Sequence, residues 1–196
     1  MKNILALTVL FVSSVASAQT PQFAIGGGLI FNKPDFKTGN TSGAGYSVDE
    51  ESTTTLNIGA RAILPLQEKL SFRTGLYLQE KSGKIELEAS GISASVTGKI
   101  LELAIPLNVQ YQLHEKFSAY GGYIADFPLN TYCKAGGVIS GCPLNEAGKV
   151  THNLNVGGSF HLAEKFDLEL SYQHPMKAVL DDLKIYAWLF QGFYKF

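Results

Sequence analysis

Alternation of apolar and polar residues with a period of two runs through most of this chain, and this pattern constrains its fold more than any other feature. The clearest run is 101–113, in which Leu, Ile, Val or Tyr occupies every odd position. Such alternation is typical of a β-strand whose two faces meet different surroundings. Eight runs of this kind predict eight strands, over 23–31, 56–64, 70–78, 101–113, 117–125, 150–160, 166–172 and 186–196.

A repeated hexapeptide indicates how these strands are connected. The pattern Leu-x-Glu-Lys-apolar-polar favours a tight turn between two strands. It occurs three times, at 66–71, 113–118 and 162–167. Longer polar connections occupy 32–52, 81–98, 126–148 and 174–182. Three short turns alternating with four long connections predict an all-β fold, a transmembrane antiparallel up-and-down β-barrel of eight strands, with its short turns facing the periplasm.

The second long connection carries an alternation of its own. Apolar residues recur at every second position in 85–89 and again at 94 and 96. Strands 3 and 4 are therefore expected to continue beyond the membrane as a hairpin. The side-chain phase changes near Gly83 and Gly98, which predicts a β-bulge at each.

A membrane barrel and a water-soluble barrel both alternate, so the composition of the two faces has to separate them. The apolar faces carry almost no charge over seven or eight residues, as a lipid-facing band requires. The opposite faces are rich in Gly, Ser, Asn, Gln and Tyr, which suits a narrow polar lumen. Aromatic residues crowd the strand ends, as in the girdles of outer-membrane barrels. The last strand ends on Phe196, and such a strand is expected to be the signal read by the barrel assembly machinery.

The N-terminus and the cysteines indicate export. Lys2, an apolar segment over 4–12 and the small residues Ala16-Ser17-Ala18 predict a cleaved signal peptide over 1–18, which leaves 19–196 as the barrel domain. The two cysteines, Cys133 and Cys142, are expected to form a disulfide in an exported protein. The bacterial outer membrane is the predicted location.

Charged residues on the predicted inner faces are the first candidates for function. Six of them should point into the lumen: Arg61, Arg73, Glu102, Asp167, Glu169 and Lys195. All but Glu102 should lie near the turn end. An eight-stranded barrel is only wide enough for its own side chains or one small ligand, so an ion-pair network that fills the lumen is favoured over a selective channel.

One strand carries a specific family resemblance. The run Leu101-Glu102-Leu103-Ala104-Ile105-Pro106-Leu107, which continues to Tyr111, resembles the "LEIPL…Y" strand of PorT-like outer membrane protein β-barrel domains, with Ala104 as an insertion. The chain is also similar in layout to small OmpX- and OmpA-type barrels. The resemblance implies an eight-stranded outer-membrane barrel and transfers no catalytic residues.

Three functions remain open at this point. The first is a structural or surface-interaction role in which the outer loops contact a surface protein or a small ligand. The second is a narrow channel for small solutes. The third is a lipid-modifying enzyme at the membrane rim, for which His152 is the candidate, although neither a serine nor an acid clearly partners it on the lipid face.

We expect the first of these functions, with no enzymatic activity, catalytic residues, cofactor or metal. The net charge of −1 argues against nucleic acid as a partner, and outer-membrane lipid is the expected surroundings.

Overall fold

The computed structural model describes residues 20–36, 46–89, 92–136, 149–177 and 183–196. Both the predicted signal peptide and Cys142 lie outside these ranges. The described residues form nine β-strands: β1 (Gln22–Phe36), β2 (Tyr46–Glu51), β3 (Thr53–Pro65), β4 (Leu70–Ala89), β5 (Ile92–His114), β6 (Phe117–Gly136), β7 (Thr151–Ala163), β8 (Phe166–Pro175) and β9 (Leu183–Lys195). No helix among them is long and apolar enough to span a membrane.

The strands close into a ring. β1 pairs with β3 on one side and with β9 on the other, and each further strand from β3 to β9 pairs with its neighbour in sequence. Every pairing is antiparallel, so the eight long strands form the predicted closed up-and-down barrel. Short turns join β3 to β4, β5 to β6 and β7 to β8, at the three Glu-Lys repeats. Both the eight predicted strands and the three predicted turns are confirmed.

The strands extend further on the side away from the turns than the sequence predicts. β4 and β5 pair without interruption of register as far as Ala89 and Ile92, which confirms the predicted hairpin. The two bulges predicted for that hairpin are wrong, because Gly83 pairs directly with Gly98. Because β2 pairs with the outer part of β4, it adds a ninth strand above the barrel wall.

The barrel is inverted relative to a water-soluble protein. Its exposed residues are large and apolar, with Leu56 68% and Ile58 66% exposed. Its buried residues include charged ones, with Glu102 and Glu169 each 1% exposed. Burying polar groups around a narrow lumen while exposing an apolar surface is stable only when that surface faces lipid. The register thus turns each apolar face predicted from the sequence outward.

Aromatic rings meet at both ends of the lipid-facing surface. At the turn end, the ring centroids of Phe117 and Phe160 lie 4.8 Å apart. At the other end, those of Tyr172 and Trp188 lie 4.9 Å apart. Amphipathic rings at the two boundaries are expected where a barrel crosses the membrane interfaces.

Glycines on the inner face make room for large side chains in the lumen. A Cβ atom on Gly157 would lie 2.6 Å from the ring of Tyr120, and one on Gly26 would lie 2.6 Å from the ring of Phe193. Both distances are shorter than van der Waals contact. The aromatic rings therefore fill space that only glycine leaves open in so narrow a barrel.

Candidate functional site

Four charged side chains form one network in the half of the lumen nearer the turns. This lower ion cluster consists of Arg61 on β3, Arg73 on β4, and Asp167 and Glu169 on β8. Nη2 of Arg61 lies 2.6 Å from Oδ2 of Asp167, and its Nη1 donates to Glu169. Arg73 binds Glu169 through both terminal nitrogens, with 2.8 Å between Nη1 and Oε1. Two cations thus balance two carboxylates, as burial requires.

Neutral side chains add hydrogen bonds to the lower ion cluster. The hydroxyl of Ser159 donates to Oε1 of Glu169 over 2.9 Å, and that of Tyr120 donates to Oε2 over 3.4 Å. The guanidinium carbon of Arg73 lies 3.9 Å from the ring centroid of Tyr120. Each charge is therefore held by several partners, and the cluster acts as a packed polar core.

A second network lies further from the turns. This upper ion cluster consists of Lys81 on β4, Glu102 on β5 and Asp126 on β6. Nζ of Lys81 lies 3.1 Å from Oε2 of Glu102 and also binds Asp126. Gln79 donates to Asp126 over 3.2 Å, and Asn153 donates to the same carboxylate.

The sequence placed Lys81 and Asp126 in polar connections, and that placement is wrong. Both lie on strands, and both are almost fully buried, at 2% and 0% exposed. The polar composition of 81–98 and 126–148 resembles a loop, but residues 81–89, 92–98 and 126–136 belong to strands, and the side chains of Lys81 and Asp126 remain in the lumen. Glu102 lies apart from the other predicted charges and pairs with Lys81, which was not predicted to be lumenal.

A small cavity of about 20 Å³ separates the two clusters. Four amide side chains in its wall, Asn57, Asn108, Asn155 and Gln173, have at least one polar atom for which the described residues supply no hydrogen-bond partner. A polar cavity of this size holds about one water molecule. The lumen between the clusters therefore has room for water and for little else.

The turn side of the lumen widens into an open cavity of about 450 Å³, which we call the turn-side cup. Its wall includes Gln112, Ser118, His161 and Lys195. Nζ of Lys195 lies 2.9 Å from Oδ1 of Asp167, so the last of the predicted lumenal charges also contacts the lower ion cluster. Arg61, Arg73, Asp167, Glu169 and Lys195 are thus brought together at one end.

His152 lies on the lipid-facing side near the outer boundary. Its Nδ1 is hydrogen-bonded to the hydroxyl of Tyr123, and the two rings stack with centroids 5.5 Å apart. His152 thus packs with Tyr123 as aromatic residues do at a membrane interface.

Charged pairs lie on the part of the sheet furthest from the turns, which we call the outer extension and which consists of β2, residues 80–89 of β4 and residues 92–99 of β5. Nζ of Lys84 lies 2.6 Å from Glu51 on β2 and 2.7 Å from Glu86, and hydrogen bonds to these two carboxylates raise the pKa of Lys84 above its ordinary value. Lys99 and Glu80 form a further pair across β4 and β5, with 2.9 Å between Nζ and Oε1. These solvated ion pairs lie above the apolar band.

Two of the predicted features lie at the edge of what the structure describes. Cys133 lies on β6, but Cys142 lies outside the described residues, so the pairing of the two stays a prediction. The backbone N–H of Phe196 donates to the carbonyl of Phe23 over 3.2 Å, next to the closure of β9 on β1. The role of Phe196 in assembly also stays a prediction.

The structure was compared with solved structures of other proteins, and one of them shares its fold at a TM-score above 0.5. Ail, the attachment invasion locus protein of Yersinia pestis, is 13% identical and has a TM-score of 0.51, over 91% of this chain and 100% of that chain. Outer membrane protein W of E. coli is 14% identical (TM-score 0.48, 92% of this chain and 100% of that chain). OprG from Pseudomonas aeruginosa is 12% identical (TM-score 0.46, 91% and 97%).

Sequence comparison gives the family. No curated protein sequence matches the chain. The family model described as "Outer membrane protein beta-barrel domain" matches residues 4–196, nearly the whole length. Together with the closed barrel and its apolar exterior, this match places the protein in the bacterial outer membrane, where lipid surrounds the barrel. The chain belongs to the outer membrane protein β-barrel domain family.

Proposed function

We propose that this protein is a plugged outer-membrane barrel whose outer extension and loops interact with a surface protein or a small ligand. The observation that carries the proposal is the pair of buried ion clusters across the lumen, with a cavity of about 20 Å³ between them. Any solute larger than water would have to break several charge-assisted hydrogen bonds, each in a buried setting. The plug and the outer extension have no catalytic part in this proposal.

The outer extension supports an interaction role. β4 and β5 contain 20 and 23 residues, whereas a membrane crossing needs about 9–11. The excess strand length carries the exposed charged pairs of Lys84 and Lys99 away from the lipid. Surface segments held on a rigid scaffold are where recognition residues are commonly found. Within the family, we infer that the barrel is of the PorT-like type and is inserted by the barrel assembly machinery.

Conductance through planar lipid bilayers tests the plug. We expect the purified protein to give no discrete openings, and a general porin incorporated in the same way serves as the positive control. Reproducible single-channel steps from the pure protein would refute the plug and support the narrow-channel alternative.

Site-specific photo-crosslinking on intact cells tests the surface role. A photoreactive residue in place of Lys99, which is 46% exposed on the outer extension, should give a discrete adduct. The matched control is the same residue in place of Lys165, in the turn between β7 and β8, which should not give that adduct. Identical adducts at both positions, or none at Lys99, would count against an outer interaction surface.

A further inference from the structure

Three polar side chains form a linear hydrogen-bonded array in the wall of the turn-side cup. Ser118, His161 and Asp167 come from three adjacent strands, β6, β7 and β8. Oγ of Ser118 lies 3.1 Å from Nε2 of His161, and Nδ1 of the same ring lies 2.7 Å from Oδ1 of Asp167. Because a carboxylate can only accept here, Nδ1 carries the ring proton and Nε2 is left to accept from the serine hydroxyl.

This order of partners is the one that activates a serine for nucleophilic attack. A histidine that is fixed at Nδ1 by a carboxylate can take the hydroxyl proton through Nε2. The three residues are recognised by their geometry rather than by their order along the chain, which here is Ser, His, Asp.

The array faces an accessible space. The cup has a volume of about 450 Å³, and both Ser118 and His161 line it. Cavities that hold small molecules typically lie between about 300 and 1,000 Å³. The side chain of His161 is 21% exposed, so the ring that would relay the proton is reached from the cup.

We propose that the turn-side cup is a serine hydrolase site for small, uncharged acyl esters, with Ser118 as nucleophile, His161 as general base and Asp167 as the residue that positions His161. The mixed charges around the cup, which include Lys116 and the turn glutamates Glu68, Glu115 and Glu164, favour a substrate without net charge. This proposal goes beyond the plug and the outer surface, and it departs from the absence of activity expected from the sequence.

The reaction needs only the ester and water. Oγ attacks the ester carbonyl while its proton passes to Nε2; the C–O bond to the alcohol then breaks, and the alcohol leaves with that proton. Water attacks the acyl-serine, gives one proton to Nε2, and releases a carboxylic acid as the proton returns to Oγ. Gln112 lies opposite Ser118 in the β5–β6 register and lines the same cup, so its amide N–H can donate to the oxyanion.

The surroundings of Asp167 set an expectation for the rate. Its two oxygens also accept from Lys195 and Arg61, at 2.9 and 2.6 Å. A carboxylate shared with two cations stabilises the imidazolium less than an unshared one, so we expect slow turnover of activated esters rather than a fast enzyme.

Labelling with a fluorophosphonate probe, together with hydrolysis of p-nitrophenyl acetate, tests the proposal on the full-length mature protein folded in detergent micelles. We expect one adduct, located on Ser118 by peptide mass spectrometry. Ser118→Ala should abolish the adduct and lower the hydrolysis rate at least tenfold. The matched control is Ser171→Ala, since Ser171 is buried to the same 4% but faces the cavity between the ion clusters; it should label and hydrolyse like the unmodified protein.

The pH profile distinguishes general-base catalysis from a structural hydrogen bond. His161→Gln should lower the hydrolysis rate at least tenfold and flatten the dependence of that rate on pH, because the general base is removed. Heat-modifiable migration on gels verifies that each variant is folded. Folded protein that leaves Ser118 unlabelled, or whose labelling and pH profile are unchanged by His161→Gln, would overturn the proposal, while the plug would be untouched.

Discussion

Replacing Glu169 by glutamine tests whether the lower ion cluster stabilises the barrel as a packed core. Glu169 is 1% exposed and accepts hydrogen bonds from Arg61, Arg73, Ser159 and Tyr120. Glutamine keeps the size of the side chain but offers one acceptor oxygen and a donor amide. That amide would have to face guanidinium nitrogens, which are also donors.

The size of the expected loss in unfolding free energy follows from the arginine hydrogen bonds that Glu169→Gln removes. The two arginines would share Asp167 as their only carboxylate within the lower ion cluster. Losing two charge-assisted hydrogen bonds at about 1.5–3 kcal/mol each agrees with the cost of about 3–5 kcal/mol for removing one partner of a buried ion pair. We therefore expect Glu169→Gln to lower the free energy of unfolding by about 3–5 kcal/mol. Arg73→Met with Glu169→Leu should cost less than Glu169→Gln alone, because it leaves Arg61 paired with Asp167.

Urea unfolding from lipid vesicles measures this difference. Trp188, the single tryptophan of the chain, lies on the lipid-facing side and reports the loss of the barrel by fluorescence. Glu51→Gln, which removes an exposed partner of Lys84, is the matched control and should leave the unfolding midpoint unchanged. A loss below about 1 kcal/mol for Glu169→Gln, or a double variant less stable than the single one, would refute the view of the cluster as a set of mutually dependent buried charges.

Three further predictions test the position of the lipid-facing band, the closure of the barrel and the disulfide. Val156→Arg, in the middle of β7, should lower the free energy of unfolding in vesicles by about 2–4 kcal/mol. Leu162→Arg is equally exposed at 60% but lies at the turn end, and it should cost at most about 1 kcal/mol. Equal costs would contradict the position of the lipid-facing band. Gly28→Ala should abolish heat-modifiable migration because its Cβ would lie 1.9 Å from the carbonyl oxygen of Phe190, while Gly158→Ala, 3.6 Å from its nearest neighbour, should not. Iodoacetamide should modify Cys133 and Cys142 in the denatured, exported protein only after reduction, and modification without a reductant would exclude the pairing.

The barrel could be predicted from the sequence because its signals are local. The alternation in 101–113 identifies a strand from neighbouring residues alone, and each Glu-Lys turn identifies a hairpin within six residues. These signals do not depend on which strands meet. They were sufficient for the eight strands of the barrel wall, the antiparallel order and the direction of each apolar face, but not for β2.

The site could be predicted only in part because it depends on contacts between distant residues. Arg61 and Glu169 were identifiable as inward-facing by phase, but their pairing joins β3 to β8 across the lumen. Lys81 was assigned to a loop because polar residues around it hide the continuing alternation. Ser118 and His161 lie 43 residues apart, and only the register of β6 against β7 brings them together.

Asp167 belongs both to the lower ion cluster and to the hydrogen-bonded array in the turn-side cup. With the proposed plug in place, a molecule in the turn-side cup would enter and leave on the side expected to face the periplasm, and the outer extension would not supply it. Asp167 uses Oδ2 to bind Arg61 and Oδ1 to bind His161 and Lys195. Removing the charge of Glu169 would draw both arginines towards Asp167 and weaken its hold on the imidazole. A fall in ester hydrolysis in folded Glu169→Gln protein, without loss of the Ser118 adduct, is therefore the result that would link the plug to the cup.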